Sequence, residues 1–251
     1  MITRRKLVSG FGVTAGGLLL SGCDKLNNSP AFRETLRLGE HLTFRAQRLI
    51  TDRTALAREY RPDQRSPIFR ANGTRQPAGD AYAAHAASGF ANWRLAVDGL
   101  VQRPRAFSMA QILSMPHRTQ ITRHDCVEGW SAIGQWTGVP LKLLLDQAGV
   151  RDRARYVVFH CADDYGPMRY YESIDLIDAH HPQTILAWAL NGQRLPVANG
   201  APLRLRVERM LGYKHAKYVE RIELADSLGG VGQGHGGYWE DNSDYEWYAG
   251  I

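Results

Sequence analysis

Residues 124–130 read HDCVEGW, a single cysteine, Cys126, set among polar neighbours with His124 two places before it and Trp130 four places after. Four roles compete for that cysteine: core filler, half of a disulfide, nucleophile, or metal ligand. The preceding run 118–124 alternates like a strand and delivers Cys126 into a loop, a better setting for chemistry than a buried position. Arg123 and His124 place positive charge beside it, which favours the thiolate, the form that attacks or ligates.

Each role makes demands on the rest of the chain. A cysteine hydrolase would use His124, whose side chain shares a strand face with Cys126, but no family nucleophile signature surrounds the pair. A zinc or copper site could draw on His124, Cys126, His160 and Cys161, yet the tight ligand pairs usual for zinc do not occur. His160 and Cys161, as strand neighbours, would also point to opposite faces. A redox metal held mainly by a cofactor needs only one protein thiolate. A Cys126–Cys161 disulfide stays open as well, because two cysteines in an oxidising compartment are expected to pair.

Outward from this stretch, short strands alternate irregularly with short helices. Residues 93–97 form a strand closed by the Asp98-Gly99 turn. Ser108 caps a short helix that stops before Pro116. Pro140 and Gly149 bracket the helix LKLLLDQA. Residues 156–160 form a buried strand, and 185–190 with 194–197 form a hairpin around Asn191-Gly192. Residues 203–207 and 218–224 add two strands. There is no regular βαβ rhythm, so the class is α+β with mixed sheets. Upstream, 32–50 has the spacing of an amphipathic helix, Thr51-Asp52 is placed to cap a second short helix reaching Tyr60, and 61–90 is the least regular part. The tail from 226 is glycine-rich and then aromatic, a strap whose Tyr238, Trp239, Trp247 and Tyr248 would cover core surface.

The amino terminus reads as a leader. Arg4-Arg5 precedes a short, glycine-rich apolar stretch that ends in Leu20-Ser21-Gly22-Cys23, too short for a stable membrane span. The paired arginines suggest twin-arginine export, and Cys23 is placed as a lipidation site. Arg4, Arg5 and Lys6 fall in this leader, so the remainder carries +3 of the chain's +6. That balance makes no case for nucleic acid. The organisation expected is a leader at 1–22, a helical arm and wrapping segment at 23–90, a core at 91–225 and a strap at 226–251.

Several separated blocks then carry a resemblance: HDCVEGWS at 124–131, WTGVPL at 136–141, His181-Pro182, Asn191-Gly192, NGAPLRL at 199–205 and GYKHAK at 212–217. In this order, over roughly residues 70–225, they resemble the molybdopterin-binding domain of the sulfite oxidase family. The likeness is to the bacterial periplasmic branch that includes the catalytic subunit of the protein-methionine-sulfoxide reductase system. It implies that Cys126 is the thiolate ligand of molybdenum, with a pterin dithiolene and oxo groups completing the shell, and that a bridge to Cys161 is unlooked for. Asn72, Cys161, Asn199, Arg204, His215, Ala216 and Lys217 would contact the Mo-molybdopterin cofactor, with Cys161 standing where relatives carry a threonine or another small residue. Arg206 shares Arg204's side of its strand and is a second candidate; the residues alone also allow a solvated basic face there. His124, Asp163, Asp164, Tyr165, Arg169 and Tyr170 are candidates for the substrate mouth, with His124 also a candidate catalytic residue.

The implied function is oxygen-atom transfer coupled to two-electron redox, as reduction of a sulfoxide or related S- or N-oxide, small or protein-bound. A sulfite-type oxidase, or a lipid-anchored binding protein without redox chemistry, are the alternatives. The arginine cluster with which eukaryotic members of the family bind sulfite is not identifiable here. No C-x-x-C-H haem motif occurs, so electrons would pass through a partner, either a membrane b-type haem subunit or a cytochrome. A periplasmic monomer held at the inner membrane by lipid on Cys23, without the family's C-terminal dimerisation domain, is the expected state.

Overall fold

In the computed structural model, residues 29–166 and 168–251 are described; the leader and Cys23 lie outside them. The chain divides into two units, with the boundary between Thr51 and Asp52. In the first, the expected amphipathic helix is present as α1 (Pro30–Ile50), entered through a proline at its first turn, where the missing amide proton costs nothing.

The second unit holds two sheets. The first has the strand order β2-β1-β10-β5-β6, built from β1 (Arg94–Gly99), β2 (Arg105–Ser108), β5 (Tyr156–Tyr165), β6 (Met168–Asp175) and β10 (Val219–Ala225). Only the β1–β10 pairing is parallel. The second, antiparallel sheet runs β3-β4-β7-β8 with β9 also on β7. Its strands are β3 (Arg118–Cys126), β4 (Trp130–Pro140), β7 (Ile185–Leu190), β8 (Gln193–Arg194) and β9 (Arg204–Arg206). Short helices join them: α2 (Asp80–Ala87), α3 (Met109–Ser114), α4 (Leu141–Ala148), α5 (Leu176–Ala179) and α6 (Tyr238–Ser243). This is the mixed-sheet α+β architecture the sequence led us to expect.

Alternation places the core. In β1, Leu95 and Val97 are buried while Arg94 is exposed, and they pack with Ile112, Leu144, Leu145, Val157, Phe159, Ile174, Leu205 and Ile222. Each such side chain contributes about 1.5–3 kcal/mol on burial. The opposite face of the second sheet carries a smaller cluster around Trp136, Ile185, Ala187 and Leu190, so β7 is buried on both faces.

Three sequence expectations change. Residues 52–60 do not form a helix: Asp52 caps only a local turn through the Thr54 amide at 2.7 Å, and Tyr60 donates its amide to Ile121 O at 2.8 Å. Pairing with β3 overrides the capping signal there. The segment 61–90 contains α2, an alanine-rich helix with Tyr82 buried. Cys126 is the last residue of β3, paired with Trp130 across a tight hairpin, and does not lie in a loop. The tail does cover the core, with Tyr238, Trp239, Tyr245 and Tyr248 packed on it.

Candidate functional site

The hairpin between β3 and β4 sets Cys126 at the edge of a cleft. Gly129 adopts a positive φ of 84° and its amide returns to Cys126 O at 3.0 Å, so the turn spans only Val127, Glu128 and Gly129. Cys126 is half-buried and its thiol is free. Burial, against the pull of the Glu128 amide and Arg204 and with the push of the Glu128 carboxylate, raises that thiol above its ordinary range. Arg123 is paired with Asp125 at 2.9 Å and His124 is neutral, so neither favours the thiolate as the sequence suggested. The cleft measures about 750 Å³ including its open mouth, and holds Cys126, Asn72, Asp163, Tyr170, His215 and Lys217 among its lining residues.

Its polar wall is stapled by two side chains. Glu128 accepts from the Gly73 amide at 3.2 Å and from Trp130 Nε1 at 2.9 Å. Lys217 Nζ donates to Asn72 O at 2.7 Å, to Ala198 O at 3.0 Å and to Thr74 O. Burial, followed by the nearby Arg204, brings the Lys217 ammonium down to about 7. Lys217 therefore fixes the 72–74 segment against the loop before β9.

Arg204 and Arg206 overturn the solvated-face reading of β9, because both are fully buried against Trp136, at 5.3 and 4.4 Å from its ring. They differ in their partners. Arg206 is committed: it donates to Glu208 at 2.9 and 2.5 Å and to His124 Nδ1 at 3.0 Å, and Gln120 also holds Glu208 at 2.8 Å. Arg204 donates to Asn199 O at 3.1 Å and to Asn72 Oδ1 at 2.9 Å, but no carboxylate pairs with it among the described residues and its Nε is buried without a partner. Burial, with Arg206 beside it, brings Arg204 down to about 9. An unpaired buried cation is costly, so this position calls for an anion.

The two histidines are held neutral. Because Arg206 can only donate, His124 Nδ1 accepts and the proton sits on Nε2, which has no partner. Burial, then His215, Arg206 and Arg204, hold His124 well below the usual imidazole range. Glycine is required at 212, since a Cβ there would lie 2.6 Å from the His124 ring. His215 donates from Nε2 to Met210 O at 3.1 Å, leaving its buried Nδ1 free to accept.

Asn72, Cys126, His215 and Lys217 thus meet in one cleft, with Arg204 and Asn199 joined to it through Asn72. His124 lies behind the cleft as a packed, neutral group. Cys161 and Ala216 belong to the hydrophobic core, and their side chains are not in the cleft lining. Of the mouth candidates, Asp163, Tyr165 and Tyr170 line it. Arg169 sits outside, exposed, and pairs with Glu220 and with Asp164 at 3.7 Å. The zinc or copper reading fails because His160 is occupied by Glu223 at 2.8 Å and the described residues hold no metal-binding cluster of three. Sequence reasoning missed Glu128, Tyr213, Trp239 and Tyr245. Glu128 and Tyr213 lay within the quoted blocks, but only the fold turns them toward Cys126.

Asp163 makes the stability of the fold depend on pH. It is buried in the cleft wall with Oδ1 unpartnered, and burial raises its carboxyl to about 6 against the pull of Thr74 and Lys217. The fold therefore favours protonated Asp163. The associated stability is complete below the ordinary carboxylate pKa near 4 and is lost as pH rises through about 6. Urea unfolding should show a wild-type loss of about 3 kcal/mol between pH 4 and 7 that Asp163→Asn does not share. Parallel pH profiles for the two proteins would contradict this.

Comparisons with known proteins agree on one family. The oxidoreductase molybdopterin-binding domain matches residues 83–228. A protein of Azospira oryzae, described provisionally as protein-methionine-sulfoxide reductase subunit YedZ1, is 44% identical over 160 residues, covering 64% of this chain and 56% of that protein. The protein-methionine-sulfoxide reductase catalytic subunit MsrP of Ralstonia nicotianae is 35% identical over 145 residues, 53% of this chain and 44% of the relative. The chain therefore spans about half the length of these curated relatives. Among solved structures, the sulfane dehydrogenase SoxCD of Paracoccus pantotrophus superposes with a TM-score of 0.51 at 25% identity, over 55% of this chain and 39% of the other.

Proposed function

The chain belongs to the oxidoreductase molybdopterin-binding domain family, and from that membership we propose that it is a periplasmic reductase of sulfoxides or related S- or N-oxides. Its cofactor is Mo-molybdopterin, with the Cys126 thiolate as the protein ligand of the metal. The observation that carries this reading is the pairing of one accessible thiol with Arg204, a buried guanidinium that has no anionic partner among the described residues and a free Nε. A phosphate-bearing, electron-rich pterin supplies what Arg204 lacks, since guanidinium gives planar charged donors to such groups. The free Asn199 Nδ2 and His215 Nδ1 add a donor and an acceptor of the kind a polar heterocycle uses. The residues present fit the cofactor.

When bound, the cofactor supplies two-electron redox chemistry and an oxygen-accepting metal centre. The chain's own residues do the rest. Lys217 and Glu128 hold the 72–74 segment that forms the polar wall, and Asn72 spans from that wall to Arg204. Arg206 holds His124 neutral and immobile behind Cys126. In the overall reaction a sulfoxide takes up two electrons and two protons, its S–O bond breaks, and a thioether and water leave. Electrons come from a partner, a membrane b-type haem subunit or a cytochrome. The names of the two curated relatives, both subunits of a reductase, support a partnered assembly. Twin-arginine export and lipid on Cys23 would hold the chain at the inner-membrane surface.

The test is oxidation of reduced benzyl viologen by metal-loaded protein. Sulfoxide-dependent turnover is expected. Turnover of sulfite with an electron acceptor, and none with any S- or N-oxide, would instead favour the oxidase reading.

A further inference from the structure

The cleft also has an aromatic lining, to which the core and the strap both contribute. Tyr165, Tyr170 and Tyr213 line it from the core and Trp239 and Tyr245 from the tail. The Trp239 ring stacks with Tyr245, centroids 5.8 Å apart at 26°, and meets Tyr165 at 5.3 Å. Tyr245 meets Tyr213 at 5.0 Å. Both tail residues lie beyond the residues that match the family, 83–228, whereas the three tyrosines they pack beside lie within them.

The strap is pinned on both sides of Trp239. Tyr238 donates its hydroxyl to Tyr165 O at 3.1 Å. Glu240 accepts from the fully buried Lys214 at 2.6 Å. Gly237 bridges to Glu172 of β6 so closely that a Cβ would lie 1.8 Å from the Glu172 carboxylate. Further along, Tyr213 donates to Glu246 O at 2.6 Å. A tail that merely shielded core surface would not need its indole held between such anchors and still facing the cleft.

We propose that Trp239 and Tyr245 form the substrate-selecting wall, which packs against the carbon substituents of a sulfoxide bearing an aryl or long thioether group. The proposal rests on the sulfoxide reading above. A sulfoxide has a polar S–O group and two carbon arms, and the lining of this cleft combines polar Asn72, Asp163 and Lys217 with the aromatic Trp239 and Tyr245. Sulfur and its substituents pack favourably on aromatic rings, and a small inorganic anion has no carbon to set against them.

The test uses holoenzyme in wild-type, Trp239→Ala and Trp239→Phe forms. Calorimetric titration with methyl phenyl sulfone, which resembles the substrate and is not turned over, reads binding apart from activity. Trp239→Ala is expected to weaken sulfone binding by about tenfold, the scale of a lost aromatic contact, with Trp239→Phe recovering most of it. The kcat/KM ratio of methyl phenyl sulfoxide to dimethyl sulfoxide should fall by a similar factor. Equal sulfone affinity in all three proteins, an unchanged ratio, or no sulfone binding by the wild type would overturn the proposal. If the wild type reduces neither sulfoxide, the functional reading fails, and the sulfone titration alone still decides on the wall.

Discussion

Cys126→Ser should lose sulfoxide-dependent turnover by more than the roughly 10–100-fold typical of changes around a metal's outer shell, while its fold stays intact. The expectation follows from where the residue sits. Cys126 is half-buried at a strand end whose backbone is already paired with Trp130, so exchanging sulfur for oxygen disturbs little packing. Sites of this kind usually move stability by no more than about 0.5 kcal/mol. Cys161→Ser should show the opposite pattern. Cys161 is fully buried in the core, where a hydroxyl without a good partner costs about 1–3 kcal/mol, and its side chain is not in the cleft. Thermal unfolding and viologen oxidation on matched preparations separate the two residues. Turnover retained in Cys126→Ser would remove the proposed role of the thiolate.

The largest effect on stability is expected at Lys214. Its ammonium lies 2.5 Å from Glu172 and 2.6 Å from Glu240, with all three side chains essentially inaccessible. One cation cannot neutralise two carboxylates. Burial, and then the neighbouring Glu240, push the Glu172 carboxyl well above its usual range, so the trio is balanced by keeping a proton between the two acids. Lys214→Met removes the cation and leaves buried charge uncompensated, at a cost of about 3–5 kcal/mol, or a fall in Tm of about 6–20 °C for a unit of this size. Glu240→Gln should cost far less, because Lys214 and Glu172 then form a neutral pair. The Glu172 pKa is raised in the fold, so its contribution is complete below the ordinary carboxylate range. It is lost as pH rises through the folded value, which predicts loosening of the strap with rising pH that Glu240→Gln relieves. Equal Tm values for Lys214→Met and wild type would contradict this account.

Much of this was readable before any coordinates, and the failures have physical causes. Cys126 and the 212–217 block are local in sequence, and the cleft brings Cys126 together with Tyr213, His215 and Lys217 while Ala216 turns into the core. Arg204 and Arg206 share one strand face, so periodicity treats them alike. Only the position of Glu208 shows that Arg206 has its anion and Arg204 does not. The Glu172–Lys214–Glu240 trio joins three distant elements, and no spacing rule connects them. Residues 52–60 were misread because Asp52 caps a turn as readily as a helix, and pairing with β3 decided between the two. Trp239 was correctly expected to pack on the core; that the same indole also faces the cleft depends on how the anchors on either side of it turn the strap.

X-ray absorption at the molybdenum edge of the holoenzyme tests the central claim most directly. If the Cys126 thiolate is a ligand, the sulfur shell around the metal loses one scatterer in Cys126→Ser and is unchanged in Cys161→Ser. An identical sulfur shell in wild type and Cys126→Ser would contradict the assignment.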